Sequence, residues 1–382
     1  MEYESGRLGA VRIGSDPLFR FGIEEEHFVC EASSLDVVRR SPESLFKHPE
    51  AGASLGREML QAQLELATRP HLSFRHARQE LIELRAAASQ AAAEHDLKIL
   101  ASGTHPTAEW REAVHSPKGR YEELMRGLQM VGRRNMLCGM HVHVELPDPD
   151  SRVNVMTRML PYVPLLLALS TSSPFWQSEC TGLKGYRLAA YDELPRTGLP
   201  ELFWSAQEYD QYVSALVGSG AIPDASHIWW AVRPSHAFPT LELRAPDACT
   251  HLEDAIAIAA LYRTLARHCF RHPGLNAGLD AVDRAIAVEN KWRAQRYGVE
   301  ATFATRAGAL AATDMLEDLL GQVAEDADAL ECSEEVGRCR TIVRNGTSAD
   351  AQLRIFRAHE NTDATRQLKA VMEWIAEQTV AA

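Results

Sequence analysis

Apolar and polar positions alternate along several stretches of this chain, and the polar partner is repeatedly a charged group. The first such stretch is Phe21-Gly-Ile-Glu24-Glu25-Glu26-His27-Phe28, three consecutive carboxylates inside a strand-like apolar run. Successive side chains of an extended segment point to opposite faces, so Glu24 and Glu26 share one face and Glu25 takes the other. Two carboxylates on one face repel unless solvent or a cation neutralises them, and a divalent metal does this most directly. An edge strand with a solvated acidic face is the alternative.

The pattern recurs twice downstream. Residues 136–147 alternate strictly and predict a strand with His141 and His143 on one face. Residues 228–233 and 240–244 predict an antiparallel hairpin whose second strand carries Glu242 and Arg244 as an i, i+2 polar pair. Glu58 and Glu65 pose a parity problem. Seven apart, they share a helix face but fall on opposite faces of an unbroken strand. The segment is therefore helical or is broken near 59–61, and we expect a break that brings both carboxylates to one pocket.

Between these stretches the spacing is helical. Ser73 is the expected cap of a helix reaching about residue 95, with Leu81, Leu84, Ala88 and Ala92 as its buried stripe. Further helices are expected over 121–134, over 152–170 with bends at Pro161 and Pro164, and over 206–217. A short strand is expected at 97–102, a surface loop at 31–53 and a long glycine-rich loop at 181–200. Beyond Asp247 the pattern is helical throughout: 251–268, 281–297 and three or four amphipathic helices after that. With no repeat and no dividing linker, the expectation is one domain over 1–382 that mixes strands and helices, with a helical C-terminal part and a flexible tail at 1–17.

Composition narrows the partners. A net charge of −12 without a Lys/Arg cluster disfavours nucleic acid and anionic membranes, leaving small molecules as the expected partners and homo-oligomerisation open. Seven scattered cysteines without CxxC spacing argue against a disulfide framework or a zinc knuckle and favour a reducing cytoplasm. No apolar h-region precedes Pro17, and the greasiest run, 163–169, is far too short to span a bilayer.

If the three charged strands neighbour one another in one sheet, four or five carboxylates, one or two imidazoles and Arg244 converge. Oxygen-rich ligands suit Mg²⁺ or Mn²⁺ better than zinc. Carboxylate-held Mg²⁺ beside arginine is the usual setting of a nucleoside triphosphate, but no Walker A sequence is present, so any ATP would bind on a sheet.

These stretches together resemble the carboxylate-amine ligase family of the glutamate–cysteine ligase type 2 group. The resemblance is carried by Phe21-Gly-Ile-Glu-Glu-Glu26, Glu58-x6-Glu65-Leu-Ala-Thr68, Gly103-Thr-His-Pro106, Cys138-Gly-Met-His-Val-His143, Arg233-Pro-Ser235, Thr240-Leu-Glu-Leu-Arg244 with Asp247, and Asn290-Lys-Trp-Arg293 with Arg296-Tyr-Gly298. It implies an α+β fold with a glutamine synthetase-like catalytic domain, mainly an antiparallel sheet flanked by helices, and ATP-dependent joining of a glutamate carboxyl group to an amine, cysteine in the simplest case. On the same footing Glu24, Glu26, Glu58, Glu65, His141 and Glu242 are implied metal ligands. Glu65, Glu242 and Arg244 are implied catalytic groups, and Arg244, Arg233 and Arg187 implied nucleotide or substrate contacts. ATP and Mg²⁺ (or Mn²⁺) are the implied cofactors. The chain departs from the family pattern at Cys30-Glu31, at Glu145 and at the Cys180-to-Arg187 loop, where substrate is expected to enter. Two rival readings remain: a metal-dependent amide hydrolase built on His141 and His143, and a non-catalytic binder of nucleotide or amino acid.

Overall fold

The computed structural model describes residues 17–47, 55–117 and 119–381; the expected N-terminal tail lies outside them apart from Pro17, as does 48–54 of the first loop. The first strand, β1 (Phe21–Glu31), is the longest and is central. It pairs antiparallel with β3 (Gln63–Ala67) on one side and, on the other, with β4 (Leu97–Leu100) along its second half and β5 (Met140–Glu145) along its first. Strand β2 (Leu55–Arg57) extends the sheet beyond β3.

Short strands β6 (Phe175–Trp176) and β7 (Glu179–Cys180) form a separate hairpin. The hairpin of β8 (Val232–Pro234) and β9 (Thr240–Leu243) completes the main sheet in the order β2-β3-β1-β5-β9-β8, every pairing antiparallel. All three charged strands are thus contiguous.

The break between Glu58 and Glu65 is real. Strand β2 ends at Arg57, Leu60 bridges to His115, and β3 starts at Gln63. Residues 31–47 are less of a surface loop than expected: Val37 bridges back to Cys30, and Leu35, Val38 and Leu45 are buried.

One face of the sheet is closed by helix α1 (Phe74–Ala93), whose Leu84, Ala88 and Ala92 pack on Val29, Leu64, Leu66, Leu97 and Ile99. Ser73 stands at its N-cap position, but its side chain makes no capping hydrogen bond. Helix α2 (Gly119–Arg133) lies over the other face and is kinked at Gln129, where φ is 52°. The apolar run beyond β5 splits into α3 (Pro149–Met159) and α4 (Val163–Ser170) around a tight 3-10 turn containing Pro161. Taken together, Pro149–Ser170 is long and apolar enough to cross a membrane, more than the short 163–169 run suggests, yet 89% of that window is buried inside the protein.

The glycine-rich loop contains a helix that periodicity did not reveal, α5 (Tyr186–Tyr191), and α6 (Ala206–Gly218) follows it. Helix α7 (Leu252–Arg271), buried along nearly its whole length, runs beneath the sheet beside α1. Helix α8 (Ala281–Tyr297) keeps its expected bounds. The remainder is not all helix: strands β10 (Thr302–Thr305) and β11 (Gly308–Ala311) form a second hairpin. Six helices follow, more than the expected three or four: α9 (Ala312–Gln322), α10 (Ala324–Ala329), α11 (Ser333–Gly337), α12 (Cys339–Asn345), α13 (Ser348–Ala358) and α14 (Ala364–Val380). All seven cysteines are free thiols.

Candidate active site

Register places the charged side chains side by side. Glu26 lies directly across from Glu65, Glu24 across from His141, and Glu242 across from both His143 and Arg233. Directly opposed residues of neighbouring strands have Cβ atoms about 4.5–5.5 Å apart, so each pair is a contact by construction. One cavity is lined by Glu24, Glu26, Glu58, Glu65, His141, Arg187 and Arg244. Glu25, as parity requires, faces the opposite side.

At one end of this row, oxygens of Glu26, Glu58 and Glu65 all lie within 4.8 Å of one another. Burial, followed by the charges of Glu58 and Glu24, pushes the Glu65 carboxyl well above its ordinary range. Burial also raises Glu26, with Glu58 adding to the effect, although the Gly139 N–H donates to its Oε2 at 2.5 Å. Three carboxylates in this arrangement repel one another when ionised, and either protonation or a cation between them relieves that repulsion.

At the other end, burial opposes ionisation of Glu24, but its contacts with both histidines outweigh this and hold its pKa low. His141 Nδ1 is 3.3 Å from Glu24 Oε2 and His143 Nε2 is 3.5 Å from Oε1. His141 keeps a buried Nε2 with no hydrogen-bond partner, a nitrogen available as a ligand. The donor set of carboxylate oxygens with a minority of imidazole therefore fits Mg²⁺ or Mn²⁺.

The arginines divide into two kinds. Arg233 does not line the cavity: its Nε donates to Glu242 Oε2 at 2.9 Å and its Nη1 to the carbonyl of Ile228 at 2.6 Å. Glu242 also pairs with Arg244, and burial of its carboxylate is outweighed by the two guanidinium groups, leaving its pKa well below normal. In this structure Glu242 holds arginines and does not line the cavity. Arg244 and Arg187 do line it, and each has a buried Nε–H without a partner. Such donors are costly unless a ligand accepts from them, so both point to an anionic guest.

Two glycines make this packing feasible. A Cβ at Gly139 would stand 1.9 Å from Arg187 Nη2, and one at Gly103 would stand 2.6 Å from the Asp247 carboxyl carbon. Asp247 is fully buried, accepting from the Ser172 N–H and the Ser173 hydroxyl, and Ser173 Oγ in turn accepts from the Arg187 N–H at 2.9 Å.

The cavity includes residues that motif reading missed: Tyr121, Leu124, Leu128, Asn135, Tyr191 and Trp229. Only the amphipathic spacing of the helix over 121–134 could have signalled the first three. Of the departures from the family pattern, Cys30, Glu31, Glu145 and Cys180 are not among the residues lining the cavity, whereas Arg187, which ends the Cys180-to-Arg187 loop, is. Cys30 is buried in the core and Cys180 is exposed on the β6–β7 hairpin.

This architecture is that of solved glutamate–cysteine ligases. The Francisella tularensis glutamate–cysteine ligase, determined in complex with AMP, superposes with a TM-score of 0.70 over 95% of this chain and 89% of its own, at 15% identity. A bifunctional glutathione synthetase of Pasteurella multocida gives a TM-score of 0.69 at 16% identity over 94% of this chain, which spans about half (52%) of that larger protein. At the sequence level the profile of glutamate-cysteine ligase family 2 matches residues 20–371, and the chain belongs to that family. It is 55% identical over 364 residues to a Bradyrhizobium diazoefficiens protein named "Putative glutamate--cysteine ligase 2", covering 95% of this chain and 84% of that one. A Rhodospirillum rubrum protein of the same name is 42% identical, covering 96% and 97%.

Proposed function

We propose that the protein is an ATP- and divalent-metal-dependent ligase that joins the γ-carboxyl group of glutamate, or of a close analogue, to an amine. One observation carries this reading: Glu24, Glu26, Glu58, Glu65 and His141 line the same cavity as Arg187 and Arg244, whose buried Nε–H groups lack acceptors. An amidohydrolase would pair its two histidines with further histidines and a lysine, and here their neighbours are carboxylates.

Glu26, Glu58 and Glu65 would hold one divalent ion, and Glu24 with His141 would take part in holding another. Such an ion, when bound, neutralises phosphate charge and positions the triphosphate. The remaining steps fall to the chain's own side chains and its substrates. Arg244 is fixed by Glu242 and lies 3.4 Å from the Tyr191 hydroxyl, so its free edge meets charge developing on the transferring phosphoryl group. Arg187 is anchored through the carbonyl oxygens of Arg244 and Pro246.

A γ-carboxylate oxygen of glutamate forms a bond to the γ-phosphorus of ATP, and the bond to the bridging oxygen breaks, ADP leaving with the electron pair. The amine nitrogen then attacks the acyl carbon. Phosphate departs with its bonding electrons, the nitrogen loses a proton to solvent, and an amide remains. Charge stabilisation and positioning supply the rate enhancement, with no covalent enzyme intermediate.

The test is ADP release in the presence of Mg²⁺ with amino acids supplied singly and in pairs. Sustained ADP formation in step with amide, requiring both a carboxylate donor and an amine, is the expected result, with the donor alone supporting only the first phosphoryl transfer. Hydrolysis of an amide without ATP would favour the hydrolase.

A further inference from the structure

The cavity that holds the carboxylates has a second wall of opposite chemistry. Tyr121, Leu124 and Leu128 of α2 line it together with Leu137, Leu194 and Trp229. The three α2 residues are spaced three and four apart, one stripe of a helix, and all three are only half-buried. Met125 and Gly132 are the α2 residues buried in the protein among those described, and Leu128 packs partly against the main core as well as lining the cavity, whereas Leu124 belongs to neither core cluster. The stripe therefore faces the cavity.

The three reactants would meet this wall differently. Glutamate carries charge at both ends, and a charged group set against leucine without a partner is penalised by several kcal/mol. The nucleobase is separated from the reacting phosphorus by a ribose and three phosphates, whereas these leucines share one cavity with the carboxylates that frame the reaction. The side chain of the amine is the remaining occupant, because its nitrogen must reach the acyl carbon and the rest of the molecule must lie alongside.

We propose that α2 forms the acceptor pocket, and that the acceptor is an amine with a branched aliphatic or aromatic side chain in preference to cysteine; this rests on the ligase reading above. Its nitrogen lone pair forms the C–N bond, phosphate leaves with the C–O electrons, and the released proton goes to solvent. An apolar pocket distinguishes such amines from smaller or polar ones by about 10- to 200-fold per methylene-sized difference.

The experiment uses the full chain with ATP, Mg²⁺ and glutamate, and compares hydroxylamine with leucine, phenylalanine, isoamylamine, cysteine and serine as acceptors. Hydroxylamine needs no side-chain pocket and reports acyl activation as hydroxamate. The expected result is hydroxamate formation together with a kcat/KM at least roughly tenfold higher for an apolar amine than for cysteine or serine. In Leu128→Ser, and separately in Leu124→Ser, the ratio of apolar-amine to hydroxylamine kcat/KM should fall by roughly tenfold or more.

Hydroxamate formed with cysteine or serine used as well as the apolar amines would overturn the inference and leave the ligase reading standing. So would variants that raise the KM for ATP while the acceptor ratio stays put, which would assign the wall to the base. Failure to form hydroxamate or release ADP under any condition would remove the ligase reading and this inference with it.

Discussion

Glu25 and Arg85 form a buried two-pronged ion pair, with Arg85 Nη2 2.7 Å from Glu25 Oε1 and Arg85 Nε 2.8 Å from Oε2. Arg85 also donates to the carbonyl oxygens of Cys249, Thr250 and Thr379, tying the sheet to the start of α7 and to α14. The three consecutive glutamates thus do two jobs, the middle one structural and the outer two facing the cavity.

Glu25→Gln should therefore destabilise the fold by about 3–5 kcal/mol, since it leaves a buried guanidinium uncompensated, and the protein that remains folded should retain activity. Glu24→Gln and Glu26→Gln should show the reverse, a Tm that is not lowered with activity reduced by at least about 100-fold. Thermal denaturation and ADP release on the same three preparations separate the two patterns, and equal loss of activity in all three would contradict the assigned faces.

Removing one carboxylate from the Glu26–Glu58–Glu65 group should relieve repulsion in metal-free protein. Glu65→Gln is expected to raise the Tm in EDTA by a few degrees and to abolish the upward shift that Mg²⁺ or Mn²⁺ gives the unmodified chain. A variant whose Tm still responds fully to Mg²⁺ would show that these three do not share an ion.

Arg233→Met should weaken activity indirectly, by loosening Glu242 and through it Arg244, whereas Arg244→Met removes a group that lines the cavity. The expected split is a larger fall in kcat for Arg244→Met, on the order of 100- to 1,000-fold. Steady-state kinetics with ATP as the varied substrate measures it, and a larger kcat loss for Arg233→Met would reverse the roles.

Burial raises the Asp247 carboxyl to about 6 despite Arg187 and its hydrogen bonds. Its folded pKa lies above the unfolded value of about 3.9, so the folded state binds more protons in between. This contribution to stability is complete below about pH 4, falls as pH rises toward 6 and is level above it, a loss on the order of 2–3 kcal/mol. Urea titrations at pH 4.5 to 7.5 should show that slope, and Asp247→Asn should flatten it.

Much of the site was legible because strand parity is a local property. Glu24 and Glu26 on one face, Glu25 on the other and His141 beside His143 follow from spacing alone, whereas for Glu58 and Glu65 spacing allows a helix or a break and the structure shows the break. What spacing does not contain is a partner distant in sequence. Arg85 lies sixty positions from Glu25, and nothing in the spacing of its helix marks it as a partner; likewise nothing in the spacing shows that Glu242 sits between Arg233 and Arg244. The α5 helix within the 181–200 loop and the β10–β11 hairpin are too short to establish a period. The apolar wall of α2 is not legible as such, because a stripe facing a ligand cavity and a stripe facing core have the same sequence pattern.

The central claim, that the carboxylate-rich cavity activates a carboxyl group by phosphorylation, is tested most directly by isotope transfer. With glutamate labelled with ¹⁸O in its γ-carboxylate, together with ATP, Mg²⁺ and an accepted amine, one labelled oxygen should appear in each phosphate released. Phosphate free of label, with amide formed in equal amount, would contradict the account.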